Sequence, residues 1–395
     1  MTRLTRATDR ILALFLILLT CTFAVMTIAP NTKKLYDSAR LLNKLKAYMP
    51  EDYNALDLLN ARIRSLEKTF GDVIWHSDEL GHANASLQYA LGKDMISTGG
   101  NNMLRLASGD LYDIQPYVDT SARMADIARF AGELDVPFTY LHVHPTIYGE
   151  NALTGGYAVI DKGDEMSDEI VQTLRAAGVT TLDSREMLAG CDASDIVMRT
   201  DQHWTLYAAL LSAGQLAGEM GLDAAALDPA QFETHTYPDL FFGKYGQRVG
   251  RANVLPDDMT LYWPNYPTSI ERYTLYNKVE TTAAGEFRDA VIKWDYLEGE
   301  NASLDSYRVY GLTEDFEHFH NELAPDITLV IFKDSYSAPI ASFLSLVARD
   351  IYAVDMRKTD RAVDSFIEEF QPDLVLMGYS RQMLANAPYE LYDDE

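Results

Sequence analysis

The chain has 395 residues, 47% of them apolar, which is enough to bury a core in one large domain or two ordinary ones and excludes general disorder. A formal net charge of −26 excludes a sequence-independent grip on nucleic acid or anionic lipid, because phosphate binding needs clustered Lys and Arg. Of the two cysteines, Cys21 lies in an apolar N-terminal run and Cys191 stands alone in all that follows, so neither a disulfide in the body nor a cysteine metal site is expected.

Arg3, Arg6 and Arg10 precede an uncharged run over residues 11–29, closed by Pro30. At ~1.5 Å per residue this run is just long enough to span a hydrocarbon core of roughly 30 Å. The arginines favour a cytoplasmic N-terminus, against Lys33 and Lys34 on the far side. A cleaved signal peptide is the rival reading, but no small-x-small site follows the apolar core. The expectation is a single-pass membrane anchor over residues 1–31, with the remainder extracytoplasmic. Residues 32–90 follow as a helical stalk and lead-in, with Leu35, Leu41, Leu42, Leu45, Leu56, Leu59, Ile63 and Leu66 at helical spacing.

From residue 91 the pattern changes. Turn signals at Gly92-Lys-Asp94, Gly99-Gly-Asn-Asn102 and Gly109-Asp110 separate small strands. Helices are predicted over 118–134, 168–177 and 206–220, with strands over 136–145 and 179–183 between them. Residues 223–325 interrupt this alternation. Rich in Tyr, Phe, Asp, Pro and Gly, they read as a β-rich antiparallel insertion that includes 274–280 and 305–311. Strands over 327–332, 350–355 and 373–378 then alternate with helices over 338–347 and 362–370. Such alternation predicts an α/β fold, a mostly parallel sheet with helices on both faces.

The chemistry collects at two breaks in this pattern. The apolar run from Leu329 ends abruptly at Lys333-Asp334-Ser335, a strand followed by a turn into a helix. A serine there holds its hydroxyl clear of the sheet, among unpaired N–H groups where an oxyanion is stabilised. It needs a base, and Thr200-Asp-Gln-His-Trp-Thr205 places Asp201 and His203 just before another helix. Taken singly, Asp334-Ser335 and Asp201 also read as helix caps, and His203 as a histidine satisfied in place. Taken jointly, the two motifs end strands of one α/β sheet, where sites gather, and Ser335, His203 and Asp201 make a catalytic triad. His142 with His144 and His318 with His320 alternate on strands, yet neither pair has a recognisable third ligand. A pocket-lining or packed role is the favoured reading for both, and no metal or cofactor is expected. Trp263, Tyr266 and Tyr273 suit either stacking on sugar rings or packing.

Asp201-Gln-His-Trp-Thr, followed well downstream by Lys333-Asp-Ser-Tyr-Ser, resembles the DHHW and alginate O-acetyltransferase-like branch of the SGNH hydrolases. The resemblance runs from about residue 91 to the C-terminus and takes in Gly92-Lys-Asp94, His144-Pro-Thr-Ile-Tyr148, the run from Asp195 to Asp201 and Ile351-Tyr-Ala-Val-Asp-Met-Arg357. It implies an SGNH-like domain over 91–395 with permuted motif order, Asp and His preceding Ser. Ser335 would be the nucleophile, His203 its base and Asp201 the orienting acid. The chain departs from the family pattern at Gln202, where a second histidine is usual, and at Lys333, where Gly-Asp-Ser would have glycine. The second departure leaves the Ser335 N–H as one oxyanion donor and the other unassigned. The activity implied is acetyl transfer to a cell-envelope or secreted polysaccharide, with a membrane O-acyltransferase as partner and acyl supplier. A carbohydrate acetylesterase and a catalytically inactive glycan-binding scaffold of a polysaccharide-export complex are the alternatives.

Overall fold

The computed structural model describes residues 14–34, 74–98, 101–144, 160–312, 314–386 and 389–392. The expected stalk over 35–73 lies outside the described residues, as do the Arg3, Arg6 and Arg10 cluster and the loop that follows His144. The described residues fall into two compact units, one of residues 14–34 and 74–91 with Thr98, the other of the rest.

In the first unit α1 spans Leu14–Lys34 and α2 spans Ser77–Ala90. By length and composition α1 is long and apolar enough to cross a membrane. Its large side chains face outward, Leu14 and Leu18 each being 67% exposed. The helix does not stop at Pro30, as the sequence suggested. Proline removes one N–H from the ladder, and in the same turn the Asn31 side-chain amide donates to the Thr27 carbonyl at 2.9 Å.

A three-stranded sheet follows in the chain, β1 (Met95–Thr98), β2 (Asn101–Arg105) and β3 (Leu111–Asp113), in that order. The helix α3 (Ser121–Glu133) then leads to β4 (Phe138–Val143), and α4 (Gly163–Ala176) to β5 (Thr180–Asp183). In α4, Met166, Ile170 and Leu174 line one buried face, while Asp164 and Glu165 in the first turn and Arg175 in the last complement the helix dipole. The helix α5 (Leu206–Glu219) is capped by Thr205, whose hydroxyl accepts the Ala208 N–H at 3.1 Å.

The strands β6 (Phe232–Phe241) and β7 (Asp257–Pro264) flank the short α6 (Lys244–Val249) and pair antiparallel as a separate ribbon. Then come β8 (Ile270–Tyr276), β9 (Val279–Gly285), β10 (Phe316–Asn321), β11 (Thr328–Lys333), α7 (Ala338–Leu344), β12 (Asp350–Val354), α8 (Val363–Phe370), β13 (Leu374–Ser380) and α9 (Arg381–Asn386).

The main sheet has eight strands in the order β5-β4-β13-β11-β12-β10-β8-β9. Its first five strands are parallel, and β10, β8 and β9 extend it antiparallel. Alternate residues of β11 enter different cores. Leu329 and Ile331 join α5 and α7 on one face; Val330 and Phe332 join α3, α4 and α8 on the other. This is the mostly parallel, doubly covered α/β sheet that the alternation predicts.

The predicted insertion differs in detail. Its strands β8, β9 and β10 build onto the main sheet rather than standing apart. Residues 274–280 straddle a hairpin, because Asn277 and Lys278 adopt positive φ (49° and 67°) and turn the chain back. Residues 306–310 form a 3-10 helix, not a strand, burying Tyr307 and Tyr310 three residues apart.

Candidate active site

Ser335 lies just past the C-terminal end of β11, in a turn built by its neighbours. Asp334 is buried, and its carboxylate accepts the Tyr336 N–H at 2.9 Å and the Ser380 N–H at 2.8 Å. Ser337 accepts from the Asp334 N–H at 3.2 Å and donates to the Gly378 carbonyl at 2.6 Å. These bonds tie the turn to the end of β13. Gly378 is required for the approach, since a Cβ there would lie 2.8 Å from the Ser337 Cβ. Among Asp334 to Ser337 only Ser335 reaches the surface in part. Its N–H has no protein acceptor among the described residues, whereas those of Tyr336 and Ser337 are taken by Asp334.

Asp201 and His203 come from the loop between β5 and α5. His203 Nε2 is 2.8 Å from Ser335 Oγ and its Nδ1 is 2.5 Å from Asp201 Oδ1, so the three predicted residues form one hydrogen-bonded line. The ring of His203 packs against two tyrosines, Tyr307, stacked at 4.8 Å, and Tyr336, tilted at 4.7 Å. The Tyr307 hydroxyl donates to the Trp204 carbonyl at 2.7 Å, and the Trp204 indole to the Tyr336 carbonyl at 3.0 Å. Loop and turn are thereby locked together through His203's own neighbours. Burial works against the charge on Asp201, but the attraction and hydrogen bond of His203, with the Lys244 and His203 N–H groups, hold its carboxyl below the usual range.

Sequence reasoning missed the support for this loop. Lys244 donates its N–H to Asp201 Oδ2 at 2.8 Å. Gly243 must be glycine, because a Cβ there would stand 2.3 Å from the Asp201 Cβ. Thr200 donates its hydroxyl to Asp257 and accepts the Gly243 N–H at 2.9 Å, and Asp257 also takes the Arg199 and Thr200 N–H groups. The run Phe242-Gly-Lys-Tyr-Gly246, with one glycine just before the short α6 and one inside it, was the available signal.

Lys333, the residue that departs from Gly-Asp-Ser, is fully buried. Its ammonium donates to the Glu314 carbonyl at 3.1 Å and lies 3.4 Å from Glu317, which also pairs with Arg272 of β8 at 2.5 Å. Glu314 is held at about 2: burial pushes it up, but Lys293, Lys333 and Arg272 outweigh that.

The remaining candidates lie elsewhere. His142 is wholly buried, its Nε2 2.8 Å from the Ser167 hydroxyl, and burial lowers it to about 3. His144 sits 3.4 Å from Asp164, and the two histidines gather no set of three potential metal ligands among the described residues. Trp263 packs edge-on with Trp294 at 6.3 Å, beneath Arg288. A cavity of about 720 Å³ borders the loop on the side of Met198 and Asp257, and Ser335 does not line it.

The doubly covered sheet, with these residues at the C-terminal edge of its parallel strands, has the fold of the SGNH hydrolase-like proteins, as the resemblance in its motifs implies. Residues 146–279 match the family model described as an SGNH hydrolase-like domain, acetyltransferase AlgX. That stretch contains Asp201 and His203 and ends before Ser335. Among solved structures the chain is similar to a DHHW family protein from Eubacterium siraeum, at 18% identity and a TM-score of 0.60, covering 76% of this chain and 99% of that one. It is also similar to PatB1 from Bacillus cereus, solved with a sulfonyl adduct, at 16% identity and a TM-score of 0.58, covering 73% of this chain and 99% of that one. No curated protein matches the chain.

Proposed function

We propose that the protein is a serine-dependent acetyltransferase acting outside the cytoplasm on a cell-envelope or secreted polysaccharide. The observation that carries this reading is the hydrogen-bonded line from Asp201 through His203 to Ser335, 2.5 Å and 2.8 Å long. His203 Nε2 takes the Ser335 proton as Oγ attacks the acetyl carbonyl, while Asp201 holds the imidazole with its proton on Nδ1 and offsets the charge that forms. The Ser335 N–H faces the developing oxyanion. Collapse expels the donor's oxygen, protonated by His203, and leaves acetyl on Ser335. A sugar hydroxyl then gives its proton to His203 and takes the acetyl group, restoring the serine. The match to the acetyltransferase family model and the exposed apolar α1 support transfer at a membrane, and a membrane O-acyltransferase is the proposed acyl supplier.

The test combines labelling and turnover. A sulfonyl fluoride should add one sulfonyl group, at Ser335 and nowhere else. Ser335→Ala, His203→Ala and Asp201→Asn should each lower release from a chromogenic acetate at least about a thousandfold while staying folded. With a glycan present, acetyl should appear on the sugar. Acetate release alone, with no acetylated glycan, would make the protein an esterase; no labelling and no turnover would leave glycan binding as its role.

A further inference from the structure

We propose that His318, His320 and Asp350 form a binding site for one Zn²⁺ ion. His318 and His320 are two apart on β10 and so share a face of the sheet, and the antiparallel register sets Asp350 of β12 directly opposite His320. His318 Nε2 and His320 Nδ1 each lie 2.8 Å from the same oxygen, Asp350 Oδ1. The third ligand that the sequence could not supply therefore comes from a strand 30 residues away in the chain.

The ligand chemistry suits zinc, which takes imidazole nitrogen and carboxylate oxygen at about 2.0–2.2 Å. Around a tetrahedral ion such ligands stand about 3.3 Å apart, so each histidine nitrogen need part from Asp350 Oδ1 by only about half an ångström, and the three ligand atoms already lie within 4.8 Å of one another. On binding, the ring protons move to His318 Nδ1 and His320 Nε2, freeing the inward nitrogens. The three side chains are 22–37% exposed, which gives the ion a way in and leaves the fourth position to water. The site is also braced. His318 stacks on Tyr352 at 4.3 Å, and Tyr352 on Phe370 of α8 at 3.9 Å, which fixes that imidazole. Glu271 of β8, opposite His320 on the same face, adds negative charge to the rim.

Asp350 begins β12 and pairs with Thr328 at the start of β11, whereas Ser335 follows the end of β11. The ion would thus sit at the opposite edge of the sheet from the serine, tying β10 to β12 without entering the chemistry.

The full-length chain, free of any histidine tag, held in detergent and stripped with a chelator, can be titrated with Zn²⁺ by calorimetry and followed by thermal unfolding. One ion per chain and a rise in Tm are expected. His318→Ala, His320→Ala and Asp350→Asn should each weaken binding at least about tenfold, and His235→Ala on β6 should not. Co²⁺ added to the unmutated protein should give the intense visible bands of four-coordinate nitrogen and oxygen ligation. No saturable zinc binding, binding that none of the three substitutions alters, or only the faint spectrum of six-coordinate Co²⁺ would overturn the proposal. Sulfonyl labelling of Ser335 should proceed equally with and without zinc, so the two proposals stand or fall separately.

Discussion

Gly243 has no side chain because Asp201 occupies the space one would need. A Cβ at this position would stand 2.5 Å from Asp201 Oδ2 and 2.7 Å from the Thr200 carbonyl, closer than real contacts allow. Gly243→Ala must therefore push either α6 or the Asp201 loop away. Either shift parts the carboxylate from the Lys244 N–H and tilts it away from His203. A misplacement of about 1 Å in a catalytic group can cost about a hundredfold in rate. The expectation is a loss of that order in the rate of sulfonyl labelling at Ser335, with overall folding retained in circular dichroism. A labelling rate within about twofold of the unmutated protein would mean that Asp201 does not need its present seat.

At the scale of elements, the loop before α5 hangs on β7 through Asp257, whose carboxyl is raised from 3.8 to about 6 by burial, against the pull of its Thr200 and Arg199 donors. A carboxyl whose folded value is raised binds its proton more tightly in the folded state. It therefore contributes stability that is full below about 4 and is lost as pH rises through about 6. The window is worth about 3 kcal/mol. Asp257→Asn should remove this component, so that the stability difference between variant and unmutated protein changes across pH 4–6 and is flat above about 7. Chemical denaturation at a series of pH values measures it, and parallel stability curves would exclude it. The elements that carry the site were legible because their signals are local: continuous apolar runs for β11 and β13, an apolar-rich run closed by Pro145 for β4, and helical spacing for α5. Ser335, His203 and Asp201 stood out for the same reason, each at a break between a strand and a helix. The bonds around them did not. Asp201 meets Lys244 through a backbone N–H 43 residues away, and a backbone contact leaves no mark on residue type beyond the neighbouring glycine. The β8–β9 turn was hidden because Asn277-Lys278 takes positive φ without a glycine. The 3-10 helix over 306–310 was hidden because Tyr307, Val309 and Gly311 imitate the alternation of a strand.

For the whole molecule, the decisive contrast is between an acidic chain and one bare apolar helix. A net charge of −26 gives no general attraction to an anionic membrane surface, so attachment is expected through the apolar helix rather than through overall charge. In α1, by contrast, Leu14, Phe15, Ile17, Leu18 and Val25 are each more than half exposed, on a helix of 21 residues. Its length, about 30 Å at ~1.5 Å per residue, matches a hydrocarbon core. An apolar helix left in water would cost the full transfer energy of these side chains, and a bilayer removes that cost. The full-length protein should accordingly stay with membranes through a wash in high salt and leave them only in detergent, while a chain starting at about residue 35 should be recovered in the soluble fraction. Release by salt would show a peripheral contact instead. Arg3, Arg6 and Arg10 before the helix favour a cytoplasmic N-terminus. Protease added to intact spheroplasts should then digest the body and spare a short N-terminal remnant. Protection of the body until lysis would place Ser335 on the cytoplasmic side, away from any exported glycan, and would overturn the proposed role in acetylating one.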